Sequence, residues 1–212
     1  MKLTILGASG HGRVVADIAE KLGYTEIDFL DDNPQLKFCG KYPVTGTTAL
    51  AATLTHALFV AMGDRLLRAR MLNELFEQGK SVATLVHPKA VVAATVELGK
   101  GTVVMAGAVI NPNVRVGRGC IVNTCASIDH DCVVGDYVHV AVGAHLCGAV
   151  TVGDLTLIGA GATVINNLNI APDIVVGAGG VVVKSLEFSG IYVGVPTHLK
   201  KRKFPGGGIF NN

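Results

Sequence analysis

From residue 92 to residue 182 an aliphatic side chain returns at every sixth position without a miss: Val92, Leu98, Val104, Ile110, Val116, Val122, Ile128, Val134, Val140, Leu146, Val152, Ile158, Val164, Ile170, Val176 and Val182. Neither a helix nor an ordinary strand has that period, so the pattern marks short units that stack on one another. It predicts a hexapeptide parallel β-helix. Many residues that directly follow an aliphatic one (Gly99, Gly117, Asn123, Asp129, Gly135, Gly153, Gly159, Gly177) are small or tolerant of unusual backbone angles, as a corner in each hexad requires. Three corners close a triangular coil, which climbs one strand spacing of ~4.8 Å. About five coils are expected from a period of this length. Ala108, Cys120, Ala126, Cys132, Ala144 and Ala162, two positions before aliphatic residues, are small enough to share the interior.

Ahead of the repeat the pattern changes. Lys2 to Leu6 reads as a buried strand, followed by Gly7-Ala8-Ser9-Gly10-His11-Gly12 and an amphipathic helix to about Leu22. Glu26 to Asp32 reads as a strand ending in two carboxylates, with a turn at Asn33-Pro34, and Leu58 to Met62 as a third strand. Asp64 is placed to cap a helix running to Gln78, whose Leu67, Met71, Leu72, Leu75 and Phe76 have helical spacing, and Ser81 to Val86 reads as a further strand. Alternating β and α elements predict a small, parallel, Rossmann-like α/β domain. The boundary falls at His87-Pro88, giving an α/β domain at 1–87, a β-helix at 88–185 and a C-terminal tail at 186–212.

Composition narrows the function classes. At 212 residues, half of them apolar, the chain has material for one large or two modest domains. No uninterrupted apolar run reaches the ~18 residues of a membrane span. The start lacks the apolar segment and cleavage site of a secretory signal, so a cytoplasmic location is expected. Five cysteines without a C-x-x-C pair read as buried reduced thiols, and a net charge of +2 with mixed signs offers no nucleic-acid stripe.

Two stretches carry candidate chemistry. Glycines between a strand and a helix let backbone N–H groups approach a phosphate, aided by the helix dipole. The order here is G-x-x-G-x-G and not the G-x-G-x-x-G of dinucleotide sites, which argues against NAD. Asp31 and Asp32 lie where a ribose or base contact is expected; a nucleotide-diphosphate site and a purely structural turn both stand at this point. The second stretch is Asn123-Thr124-Cys125-Ala126-Ser127-Ile128-Asp129-His130-Asp131. His130 belongs near a corner, facing outward, where a histidine beside Asp131 or Asp129 serves as a base near neutral pH, the alternative being a solvated corner residue. His130, His139 and His145 also raise a zinc site of the gamma-class carbonic anhydrase kind. Their separations of nine and six residues put them on different parts of a coil, so no metal is expected within one subunit.

G-A-S-G-H-G, a strand ending F-L-D-D, L-V-H-P at the junction, I-V-N-T-C-A-S-I-D-H-D-C and H-V-A-V-G-A-H-L-C-G together resemble the sugar O-/N-acyltransferase family typified by NeuD and PglD, over nearly the whole chain. The resemblance implies a left-handed coil and a homotrimer with its active site between adjacent solenoids. It also implies acetyl-CoA-dependent N-acetylation of the 4-amino group of a UDP-linked 4-amino-4,6-dideoxy sugar, as in a bacillosamine-type pathway. In that reading His130 is the general base and Asp131 its carboxylate. Ser9, Gly10, His11, Asp31, Asp32 and Gly63 hold the nucleotide-sugar, Arg68 offers a phosphate contact and Asn123 meets the reacting amine. His139, Gly148, Ala160 and Ala178 fall on the acetyl-CoA side, with Gly148 the candidate oxyanion donor. Cys132 and Cys147 are packing residues in this scheme, and Lys200-Lys201-Arg202-Lys203 is a solvated tail, with attraction to the coenzyme 3′-phosphate as the alternative. Other acceptors, GDP-perosamine or a sialic acid hydroxyl, and a non-catalytic nucleotide-sugar-binding scaffold complete the field.

Overall fold

The computed structural model describes residues 1–203 and 209–211. The chain opens with β1 (Lys2–Leu6), α1 (Gly10–Lys21), β2 (Glu26–Leu30), a hairpin of β3 (Phe38–Cys39) and β4 (Tyr42–Gly46), then β5 (Ala57–Val60) and α2 (Arg65–Glu77). The sheet order is β3-β4-β2-β1-β5, parallel except within the hairpin. Both helices start where a side chain caps them: Ser9 Oγ accepts from Gly12 N–H and Asp64 Oδ1 from Leu67 N–H. The apolar stripe of α1, Val15, Ala16, Ile18 and Ala19, is buried. Gly12 has a packing reason of its own, since a Cβ there would lie 2.3 Å from Gly7 O and 2.9 Å from the Phe29 ring.

The stretch Ser81 to Val86 is not a single strand of this sheet. Val82 bridges Leu58 at the sheet edge, after which β6 (Leu85–Val86) pairs in parallel with Val103–Val104 of the repeat. Val86 stands six residues before Val92 and is therefore the first residue on the hexad period. The solenoid thus begins before the expected boundary, and it ends later too: Gly190–Val193 pairs in parallel with Ile174–Val176. Strand His198–Lys203 then folds back antiparallel on Gly190–Val193, and Ile209–Asn211 pairs with it. Residues 198–203 form a strand and not a solvated tail because Leu199 packs on the solenoid core and Gly190, lacking a Cβ, lets Lys201 O approach.

Three parallel sheets build a left-handed prism. Its first face runs through β6, Val103–Val104, Ile121–Val122, His139–Val140, Leu157–Ile158 and Ile174–Val176. The second runs from Val91–Val92 to Val181–Val182 and the third from Glu97–Leu98 to Asn169–Ile170. Consecutive rungs on a face lie one coil apart, as in the pairing of Ile121 with His139. The aliphatic ladder and the small residues beside it form one buried core.

The corners work differently from expectation. Backbone φ between 55° and 76° falls on the third residue after each aliphatic one from Leu98 to Val176, at Gly101, Gly107, Asn113, Gly119, Cys125, Asp131, Tyr137, Gly143, Ala149, Leu155, Gly161, Asn167, Asp173 and Gly179. The small residue immediately after the aliphatic one answers to crowding instead: a Cβ on Gly117 would sit 2.6 Å from the backbone of Gly135 in the next coil. Non-glycine residues hold the left-handed conformation, normally disfavoured by ~1–2 kcal/mol, because each is tied to the preceding coil. Examples are Asp131 N–H to Pro112 O (3.1 Å) and Ala149 N–H to His130 O (2.9 Å).

The α/β domain is docked on the first face. Leu85, Val103, Met105 and Ile121 share a buried cluster with β1 and α1, and Tyr137 joins another with Leu72 and Leu75 of α2. Arg68 fastens this seam. Its side chain is 1% exposed, with Nε donating to Gly119 O at 2.8 Å, Nη1 to Met62 O at 2.8 Å and Gly63 O at 3.1 Å, and Nη2 to Tyr137 O at 2.7 Å. A second tie joins Arg65 Nη2 to Asp173 Oδ1 at 2.8 Å.

Candidate active site

His130 and Asp131 occupy the corner between the second and third faces, after the inward Ile128. The left-handed turn at Asp131 bends its carboxylate back so that Oδ2 meets His130 Nδ1 at 2.8 Å. Two asparagines one coil earlier brace the carboxylates: Asn113 Nδ2 donates to Asp131 Oδ1 at 3.1 Å, and Asn111 Nδ2 to Asp129 Oδ1 at 2.7 Å. Asp129 Oδ1 also accepts the His130 N–H at 2.8 Å. The bond to Asp131, then the charge of Asp129, raise the His130 pKa above its ordinary 6.5, while the same bond lowers Asp131. Nδ1 is engaged and Nε2 is left to receive a proton. One coil further on, Gly148 lies against the ring; a Cβ there would be 2.7 Å from Cε1 and Nε2. The amides flanking it are bonded to Val164 O and His130 O, whereas the Gly148 N–H has no backbone partner among the described residues. The asparagines are the functional residues that sequence reasoning missed, although each stands eighteen residues before the carboxylate it braces.

A second group lies at the seam with the α/β domain. His139 projects from the first face, one rung beyond Ile121. Asn123 Oδ1 accepts the Thr124 N–H at 2.8 Å, so its amide donates to His139 Nε2 at 3.1 Å and leaves the imidazole proton on Nδ1. Burial first, then the Arg68 charge and His11, lower the His139 pKa to about 4; burial and then Arg68 do the same for His11. Both rings are neutral at physiological pH. His11 Nε2 is buried with no hydrogen-bond partner among the described residues, a polar atom left over for a ligand. Gly10 and His11 form the first turn of α1, whose amides and dipole favour an anion.

The remaining residues sort by what they already hold. Asp31 fixes the glycine loop by accepting Ala8 N–H at 2.7 Å and Asn33 N–H at 2.9 Å; Asp32 accepts both the N–H and hydroxyl of Thr48 at 2.9 Å. A cavity of about 250 Å³ opens beside Asp31, lined also by Lys37, Thr45 and Thr47. Gly63 is exposed, with open space where a Cβ would be. Arg68 corrects the sequence reading: buried and bonded to four backbone carbonyls, it acts as an interdomain fastener and not as a phosphate contact. Cys39, Cys120 and Cys132 are buried as expected, and burial raises all three thiols; Cys125 is exposed, against expectation, at a left-handed corner position. Ala160 and Ala178 stand one coil apart on the exposed corner between the first and second faces.

In a triangular section the corner bearing His130 is opposite the face bearing His139. One protomer therefore brings His11, Asn123 and His139 together and His130, Asp131 and Gly148 together, but not the first set with the second. His145, on the second face and bonded to Ser127 Oγ at 2.8 Å, joins neither.

Residues 2–75 match the family model described as the PglD N-terminal domain. Over 110 residues the chain is 34% identical to UDP-N-acetylbacillosamine N-acetyltransferase of Bacillus subtilis (strain 168), a stretch covering 49% of this chain and 51%, about half, of that protein. The acetyltransferase domain of PglB from Neisseria gonorrhoeae FA1090 superposes with a TM-score of 0.90 at 36% identity, covering 93% of this chain and 98% of that one; it has also been solved with acetyl coenzyme A. PerB from Caulobacter crescentus, in complex with CoA and GDP-perosamine, gives a TM-score of 0.89 at 37% identity over 94% and 97% of the two chains. With 36% identity and a shared two-domain fold over 93% of its length against the PglB acetyltransferase domain, the chain belongs to the NeuD/PglD-type family of sugar acetyltransferases.

Proposed function

We propose that this protein transfers the acetyl group of acetyl-CoA to the 4-amino group of a UDP-linked 4-amino-4,6-dideoxy sugar, in a homotrimer whose active sites lie between subunits. The observation that carries the reading is the His130–Asp131 pair, with Nε2 open above Gly148, on the corner opposite the seam where His11 and His139 lie. Neither half is an active site alone. The outward residues of the second face are Val91, Val109, Ser127, His145, Thr163 and Val181, without a formal charge apart from the histidine, whereas the third face carries Glu97 and Arg115. Turning the second face toward a threefold axis sets the His130 corner of one subunit beside the Ala160 and Ala178 corner of the next.

A sugar amine is protonated near neutral pH and becomes nucleophilic on losing a proton. With the ammonium proton lost to solvent, the neutral amine attacks the thioester carbonyl, His130 Nε2 takes a second proton from the nitrogen as the carbon–nitrogen bond forms, and Asp131 stabilises the resulting imidazolium. The carbonyl oxygen becomes an oxyanion facing the Gly148 N–H. Collapse breaks the carbon–sulfur bond and releases coenzyme A thiolate, which takes up the proton from His130; the amide stays on the sugar. Asn123 and His139 orient the acceptor and thioester at the seam. The first turn of α1 and Asp31 hold the nucleotide, and the reaction runs in the cytoplasm, in keeping with five unpaired cysteines.

A GDP-linked amino sugar is the second reading, favoured by an equally good match to the enzyme solved with GDP-perosamine. Thiol release from acetyl-CoA with the UDP- and GDP-linked acceptors side by side separates the two. Turnover is expected with the UDP-sugar, and His130→Ala is expected to lower kcat by about 10³-fold. Faster turnover of the GDP-sugar would reassign the nucleotide, and an unimpaired variant would remove His130 as the base.

A further inference from the structure

We infer that the outer corner of the solenoid, between its third and first faces, carries an anion site that takes a phosphate or diphosphate group and is separate from both histidine groups. A cavity of about 370 Å³ opens there, where the end of α2 meets two rungs of the coil. Its walls are Phe76, Gly79, Lys80, Lys100 and Arg118: three are cations and, among the described residues, none is acidic. In a triangular section this corner is opposite the second face and apart from the corner that bears His130, so a subunit contact made through the second face leaves it open.

The three cations differ in what they already hold. Lys80 is anchored, its Nζ donating to Leu54 O at 3.0 Å and also to Ala52 O, which leaves one ammonium proton. Arg118 lies 5.9 Å from the Phe76 ring centroid and 5.7 Å from that of Tyr137, with Nε donating to Asp136 Oδ2 at 2.8 Å. These contacts fix the guanidinium while its terminal nitrogens make no hydrogen bond among the described residues. Lys100 is exposed, and its ammonium has no hydrogen-bond or ion-pair partner among the described residues. The Gly119 N–H donates to Lys100 O at 2.9 Å, which stacks Lys100 and Arg118 on successive coils. Their side chains therefore start one strand spacing, ~4.8 Å, apart, and a single phosphate can bridge them through charge-assisted hydrogen bonds.

Two simpler roles do not account for the cluster. Cations gather at helix C-termini to meet free carbonyls, but the last turn of α2 is closed by backbone: the N–H groups of Gln78, Gly79 and Lys80 donate to Glu74 O, Phe76 O and Leu75 O at 3.1, 3.0 and 2.9 Å. Ion pairing explains Arg118 through Asp136, whereas Lys80 and Lys100 meet no carboxylate among the described residues. Gly79 keeps the space between the cations clear, since a Cβ there would meet no atom within 4 Å. The half-buried Phe76 ring gives the body of a phosphate ester an apolar wall.

The test is calorimetric titration of inorganic pyrophosphate into the full-length protein at low ionic strength, for wild type, K100Q, K100R and K37Q. Lys37 lines the cavity beside Asp31 and serves as a cation removed elsewhere. Lys100→Gln is expected to weaken pyrophosphate binding about tenfold, Lys100→Arg to restore it, and Lys37→Gln to leave it unchanged. Wild-type affinity is expected to fall as salt rises from ~0.01 M to ~0.15 M. Equal affinity in wild type and K100Q, an equal loss in K37Q, or wild-type protein that binds no pyrophosphate overturns the assignment. The site shares no residue with the proposed active site, so such a failure leaves the acetyltransferase reading in place.

Discussion

Two histidine sites in one chain are driven in opposite directions. At the corner, His130 is exposed and bonded to Asp131, and its pKa rises. At the seam, His11 and His139 are enclosed between two domains beside a buried guanidinium, and theirs fall to about 4. Carboxylate contact favours the imidazolium, whereas burial and a like charge favour the neutral ring. Under the proposed mechanism the solenoid edge supplies the proton acceptor, and the seam, with His11 from the α/β domain and His139 from the first face, supplies neutral hydrogen-bonding groups that do not compete for the proton. One residue type performs both tasks because the repeat presents one position to solvent and the seam covers the other.

Short of removing His130 itself, the largest effect expected at the corner comes from Gly148→Ala. Gly148 has no left-handed φ, so alanine fits its backbone, but the methyl group would meet the His130 ring at 2.7 Å. A loss of about 10²-fold in kcat is expected, with the thermal unfolding midpoint retained; unaltered kcat would show that ring placement is not set by that glycine. Asp131→Asn acts more weakly and specifically. Since the carboxylate raises the pKa of His130, its removal moves the acidic limb of the kcat/KM profile to lower pH, toward 6.5, with a drop of about tenfold at the plateau. A limb that stays in place would detach Asp131 from the base.

The seam gives the smallest effect and the opposite sign. A histidine with a folded pKa of about 4 and an unfolded value near 6.5 contributes stability that is complete above about 6.5 and is lost as pH falls toward 4. Urea midpoints measured between pH 7 and 4 should fall more steeply for wild-type protein than for His139→Asn, whose side chain does not titrate there. Parallel slopes would remove the neutral-imidazole account.

The solenoid was legible because a six-residue period is a local rule repeated without exception, and the inward small residues followed from it. Its start was misplaced: Val86 lies on the period, but Pro88 looked like a boundary. The corner chemistry was misplaced by two residues because sequence shows residue size but not φ; crowding by the next coil and left-handed backbone both select small residues. The meeting of His130 with Asp131 and of Gly148 with His130 followed from spacing, whereas their catalytic roles come from family resemblance. Arg68 did not: an arginine on a helix after a glycine loop looks like a phosphate ligand until the second domain closes over it. The fall in pKa of His11 and His139 is equally invisible before the seam exists. That His130 and His139 stand on opposite sides of one protomer became apparent only from the faces on which their rungs lie.

The central claim, that each active site takes His130 from one subunit and His139 from the next, is tested most directly by mixing two inactive variants. His130→Ala and His139→Ala proteins, unfolded together in equal amounts and refolded into mixed trimers, should regain activity, because some junctions then pair an intact His130 with an intact His139. Random assembly predicts about one quarter of the wild-type activity per site. Mixed trimers as inactive as their parents would contradict the shared site.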